Sequence, residues 1–201
     1  MRYFLLTALC VFAAARPDGT SDLHVAAENG DAARVASLLK AGSDANAANR
    51  YGVTPLMLAA TSGDAKVVDL LLKAKADPNA ALPEGETVLM NAARSGNTQV
   101  VKLLLAAGAK PNVQEKWRGQ SALVWAAAEG HAEAIAMLVE FGADIKQRST
   151  AGFTPLHYAV REGKPDAVRA LLKAGANVNE TLPVNVRFRR GGQAESDKVT
   201  G

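Results

Sequence analysis

The sequence predicts an all-α solenoid, an array of stacked helix–turn–helix units joined by tight turns. Three observations predict it. The leading glycines of one recurring phrase, Gly19, Gly52, Gly85, Gly119 and Gly152, stand 33, 33, 34 and 33 residues apart. A second series, Gly30, Gly63, Gly96, Gly130 and Gly163, keeps the same steps. The composition is 48% hydrophobic but only 5% aromatic, so the core is built on Ala, Val and Leu, which lets helices approach closely. A fixed period of this size means a stacked array, because no single unit of that length can bury its own apolar face.

The first fifteen residues, MRYFLLTALCVFAAA, precede the array. Arg2, an apolar run from Tyr3 and a small-residue end at Ala13 and Ala15 match a secretory signal peptide cleaved before Arg16. The run is shorter than the roughly 18–20 residues that span a bilayer. A secreted or periplasmic chain is expected, with a cytoplasmic one as the alternative. Cys10 is the only cysteine of the 201 residues, so no internal disulfide or cysteine zinc site can form.

The array then runs as five units, at about 17–49, 50–82, 83–116, 117–149 and 150–183. The first phrase, GTSDLHVAAENGD, is degenerate: Asp22 stands where later copies carry other residues, and this unit is expected to cap the array. The second, GVTPLMLAATSGD, is the most legible. Tyr51 and Gly52 form a turn, Thr54 caps a short helix and Pro55 fits its first turn. Leu56, Ala59 and Ala60 give that helix an apolar face, and Gly63 ends it. Asp64 caps a second helix with Val68, Leu71 and Leu72 on one side. That helix stops near Lys75, where Gly42, Gly108, Gly142 and Gly175 hold the matching place in the other units. A non-glycine residue in a left-handed cap costs about 1 kcal/mol. The third phrase, GETVLMNAARSGN, has Val88 and the fourth, GQSALVWAAAEGH, has Ala122 where the others carry Pro. The fifth, GFTPLHYAVREGK, leads to a second helix over 165–174 that mixes Val168, Leu171 and Leu172 with charges, as an internal unit would.

These phrases resemble the ankyrin repeat: a turn with Gly, then Thr-Pro-Leu-His, paired alanines, a Gly before the second helix, Leu-Leu and an ending such as AGANVN. The resemblance covers residues 17 to 183. It implies an ankyrin-repeat solenoid with β-turn fingers. It also implies framework roles for His24 and His157, which bond within the turn and towards the next unit.

No phosphate-cradling loop, nucleophile elbow or paired acid and base stands out. Asp31, Asp64 and Asp144 fall where capping and turns explain them. The chain reads as a non-enzyme with no catalytic residue, no cofactor and no metal site. A net charge of +3 gives no argument for nucleic acid. The sequence Asn179-Glu180-Thr181 fits a glycosylation site.

The resemblance implies a concave face of turn tips and first helices that binds another protein. Candidate contacts are Tyr51, Trp117, Arg118 and Phe153 in the turns and Arg94, Trp125, Tyr158 and Arg161 on first helices, because aromatics and Arg anchor interfaces. The sharpest expectation is a hot spot of Trp117, Arg118, Phe153 and Arg161. The competing reading packs Trp125 and Tyr158 between helices and lays Trp117 over its own turn. A monomer without a transmembrane span is expected.

After residue 183 the pattern breaks. Residues 184–201 read as an inserted loop or tail, with Arg187, Arg189 and Arg190 as a secondary site for anionic surfaces. KVTG, ending at Gly201, resembles the approach to another unit, so the array is expected to belong to a longer one. A scaffold part of a larger enzyme is the rival function.

Overall fold

The computed structural model describes residues 16–182 and the backbone of two short strands, β1 (Val186–Phe188) and β2 (Ala194–Ser196). The expected export segment, Arg189 and Arg190, and the residues around Gly201 lie outside the described residues.

Ten helices form five pairs among the described residues. They are α1 (Asp22–Glu28) with α2 (Ala32–Lys40), α3 (Pro55–Ser62) with α4 (Ala65–Lys73), α5 (Val88–Ser95) with α6 (Thr98–Ala106), α7 (Ala122–Glu129) with α8 (Ala132–Glu140), and α9 (Pro155–Arg161) with α10 (Pro165–Lys173). The first helices pack α1–α3–α5–α7–α9 in one layer, and the second helices pack α2–α4–α6–α8–α10 in the other. One continuous core runs between the layers, through Leu23, Leu56, Leu89 and Leu123 from the first helices and Val35, Leu71, Leu104, Leu138 and Leu171 from the second. A second, smaller cluster joins Val124, Phe153 and Tyr158.

Side-chain caps set most of the helix starts; α7, α8 and α10 begin without one. Thr54 and Thr87 accept the backbone N–H of Met57 at 3.3 Å and Met90 at 3.2 Å. In the first and fifth repeats a histidine completes the cap instead. His24 Nδ1 pairs with Ser21 Oγ at 2.8 Å, and His157 Nδ1 with Thr154 Oγ1 at 2.7 Å. Val88 and Ala122 start their helices as Pro55 and Pro155 do, because any residue can fill a first turn whose N–H needs no helical partner. Asp31, Asp64 and Asn97 cap the second helices of repeats 1 to 3. The core side of α4 is Val67, Val68 and Leu71; Leu72 is only partly covered, so the stripe lies one residue earlier than the sequence spacing predicts. The finger of repeat 3 adds one β-bridge, Ala81 to Thr87, and β1 pairs antiparallel with β2, Arg187 opposite Glu195. Among the described residues these are the departures from a purely helical chain.

Adjacent repeats are joined at both ends. His24 Nε2 reaches Val53 O of the next repeat at 3.0 Å and is fully buried. At the loop end, Asn46 donates to Lys75 O at 3.0 Å and accepts from Asp77 N at 2.7 Å. Asn79 clamps Gly108 O and Lys110 N in the same way, at 3.1 and 2.9 Å. Asn112 clamps Gly142 O and Asp144 N, at 2.9 and 2.8 Å. Lys75 has φ 68° and is the one non-glycine residue with positive φ among the described residues. The Asn46 clamp on its carbonyl holds it in the left-handed geometry that its neighbours reach with Gly.

Candidate functional site: the concave groove of repeats 3 to 5

The concave face is the row of first helices with the fingers beside them. Two registers line it. One runs Val25, Leu58, Asn91, Trp125, Tyr158; the other runs Glu28, Thr61, Arg94, Ala128, Arg161. Repeats 1 and 2 place no aromatic or arginine there, carrying Val25, Glu28, Leu58 and Thr61, whereas repeats 3 to 5 add Arg94, Trp125, Tyr158 and Arg161. A groove of about 440 Å³ opens in the second region, lined by Arg94, Trp125, Ala128, Tyr158 and Arg161 with Arg118, Gln120, Glu129, Glu162 and Lys164. A second trough of about 360 Å³ shares Arg118, Gln120 and Trp125 with it and extends to Glu84, Glu86, Glu115 and Trp117.

The fourth finger shapes this site. In repeats 2, 3 and 5 the finger closes on Asn49 N to Val53 O, Leu82 N to Glu86 O and Ser149 N to Phe153 O, and in repeat 4 on Glu115 N to Gln120 O. The last closure encloses one more residue, which is where the 34-residue step arises. Asn49 and Ser149 hold their fingers with short side chains. The longer finger needs a longer one. The Glu115 carboxylate, 8% exposed, accepts the backbone N–H of Trp117 at 2.6 Å, of Arg118 at 2.8 Å and of Gln120 at 2.9 Å. So held, the finger pushes Trp117 outward, where it is 77% exposed with the Arg118 guanidinium 4.9 Å from its ring centre. Trp117 therefore does not fold back over its turn.

Trp125 is partly buried, and the Arg94 guanidinium of the preceding repeat lies 5.0 Å from its ring centre. Its Nε1 is shielded and has no hydrogen-bond partner among the described residues. Arg161 lies 4.7 Å from the Tyr158 ring centre and pairs with Glu162 at 2.7 Å. Gln120 Nε2 donates to the Tyr158 hydroxyl at 3.0 Å, tying finger 4 to α9.

Two sequence-based candidates are buried. Phe153 is 2% exposed and Tyr158 4% exposed. Phe153 packs on Tyr158, ring centres 5.6 Å apart, because its finger turns the residue after Gly152 inward under α9. Phe153 thus supports the groove from beneath and Tyr158 offers it little more than a ring edge. Tyr51, 55% exposed, stacks with Arg50 on finger 2 and does not line the groove. Arg94, Arg118, Trp125 and Arg161 are brought together. Sequence reasoning missed Lys164, Ala128 and Glu115. The 34-residue step was the available signal for Glu115.

No helix of the described residues is long and apolar enough to cross a membrane. Among the same residues no three His, Cys, Asp or Glu side chains gather to hold a metal ion.

The family profile "Ankyrin repeats (3 copies)" matches over residues 5–81, 23–115 and 89–181. The chain belongs to the ankyrin-repeat family. The matches to individual curated proteins are short and span a small part of each. The chain is 50% identical to palmitoyltransferase AKR1 of Saccharomyces cerevisiae over 40 residues, 20% of this chain and 5% of that protein. It is 51% identical to protein phosphatase 1 regulatory subunit 27 of Homo sapiens over 39 residues, 19% of this chain and 25% of that protein. Each match is little longer than one ankyrin repeat of 33 or 34 residues, so it reports shared framework. Ankyrin repeats generally serve protein–protein interaction.

Proposed function

We propose that this ankyrin array is a non-enzymatic module that holds a segment of a partner protein in the groove of repeats 3 to 5, with Trp125 as its anchor. The observation that carries the reading is Trp125 itself. A large ring is left partly open on a concave face, under the Arg94 guanidinium and beside the trough of the fourth finger, with an indole N–H that no described residue satisfies. Aromatic and Arg side chains in a concave site are the usual anchors of protein interfaces. The stacked scaffold holds them in place before binding, so little ordering entropy is lost. One relative is by name a regulatory subunit, which is in keeping with a role exerted through another protein.

The test is affinity capture with the chain from residue 16 onward, wild type beside Trp125→Ala and Tyr51→Ala, read by mass spectrometry. A partner retained by wild type and Tyr51→Ala but lost by Trp125→Ala is the expected result. Equal capture by all three moves the working surface away from the groove.

A further inference from the structure

We infer that the groove carries opposite charge at its two ends and takes a peptide segment carrying both signs, with Asp or Glu at the Arg94 and Arg161 end and a basic residue at the Glu84–Glu86 edge. This rests on the groove being the binding surface.

Arg94 and Arg161 occupy one register position in repeats 3 and 5, and Ala128 occupies it between them. The small side chain leaves room in the cavity that both arginines line. Neither Arg94, Arg118 nor Lys164 makes an ion pair among the described residues, and Arg94 makes only a long 3.4 Å bond to Asn91. Stacking against Trp125 and Trp117 places Arg94 and Arg118 without using up their N–H groups. The opposing charges on this side are Glu129 and Glu162, of which Glu162 is paired with Arg161. A cationic excess therefore remains for carboxylates, which Arg can bind by two parallel hydrogen bonds.

The adjoining trough has the opposite sign. Glu115 is consumed by backbone N–H groups, but Glu84 and Glu86 make no ion pair among the described residues. Trp125 lies between the two ends and lines both cavities. The charges thus fix the direction in which a peptide lies, not only its composition. A lipid surface or a nucleic acid presents anions alone and leaves the Glu84–Glu86 end unmatched, so a peptide carrying both signs fits best.

The experiment is selection from a displayed random peptide library on the full chain, followed by titration of the selected peptides. The chain variants are Arg94→Glu with Arg161→Glu, Glu84→Lys with Glu86→Lys, and Trp125→Ala; unchanged circular dichroism and melting certify their folding. Selected peptides with acidic residues towards one end and basic residues towards the other are expected. The double arginine reversal weakens them on the order of 100-fold, and selection on that variant returns peptides with a basic residue in place of the acidic one. Peptides without acidic enrichment that still need Trp125 overturn this inference and leave the groove as the binding surface. Peptides indifferent to Trp125→Ala, or no selected peptide, overturn both. Binding to phosphatidylserine vesicles or to single-stranded DNA with the same arginine dependence, and no peptide preference, also overturns it.

Discussion

The first three seams between repeats and the last one are built differently. From repeat 1 to repeat 4, each loop carries an asparagine that clamps the next repeat by two hydrogen bonds: Asn46, Asn79 and Asn112. At the matching place in repeat 4 stands Lys146, which cannot accept. The last seam is instead joined by the Gln120–Tyr158 hydrogen bond, the Arg148–Glu180 ion pair at 2.7 Å and the cluster of Val124, Phe153 and Tyr158. The backbone is prepared alike in both, since the Asp144 side chain accepts Lys146 N at 2.8 Å just as Asp77 accepts Asn79 N at 2.9 Å. The lesson is that large side chains on the concave face can take over the joining of repeats. Tyr158 then serves the stack first and the groove second.

The widest break in this comparison is Tyr158→Ala. It removes a buried ring and its hydroxyl partner and costs about 3–4 kcal/mol. Hydrogen exchange checks it: α9 and α10 lose protection while α3 to α6 keep theirs, as expected of a nearly one-dimensional stack. Equal loss throughout would mean that the last seam is no more local than the others. Next comes Asn79→Ala, which removes both bonds of a clamp and lowers stability by about 1–2 kcal/mol in urea unfolding. A change within error would show that solvent replaces the clamp without cost.

Two substitutions sharpen the comparison in the stabilising direction. Lys75→Gly relieves a left-handed lysine and raises stability by about 1 kcal/mol, the same Asn46 clamp being kept. Lys146→Asn installs the missing clamp, with Gly175 O and Asn177 N as its expected partners, and adds about 0.5–1 kcal/mol. Both are read as shifts of the urea midpoint at constant slope. If Lys146→Asn has no effect, the last seam is closed by its side chains alone.

Much of this was legible beforehand. Thr54, Asp31 and Asp64 cap their helices as their spacing predicts, and Lys75 takes the strained conformation that its place demanded. These are short-range facts, settled within a few residues by hydrogen bonding and by the steric limits on φ. The groove was only half legible. Arg94, Arg118, Trp125 and Arg161 were candidates, yet Phe153 looked exposed and Glu115 went unnoticed. Burial at those positions depends on what the neighbouring repeat supplies a full period away, and no local pattern encodes that.

The sequence by itself determined the period, the helix pairs and the family, because each repeat must stack to cover its apolar face and the caps and turns mark where each unit begins. Only the tertiary structure decided which side chains of the repeating registers meet. Stacking brings Arg94 of one repeat over Trp125 of the next and seals Phe153 beneath Tyr158. It also leaves one stretch of the concave face open and lined by aromatics and arginines, where repeats 1 and 2 carry Val25, Glu28, Leu58 and Thr61.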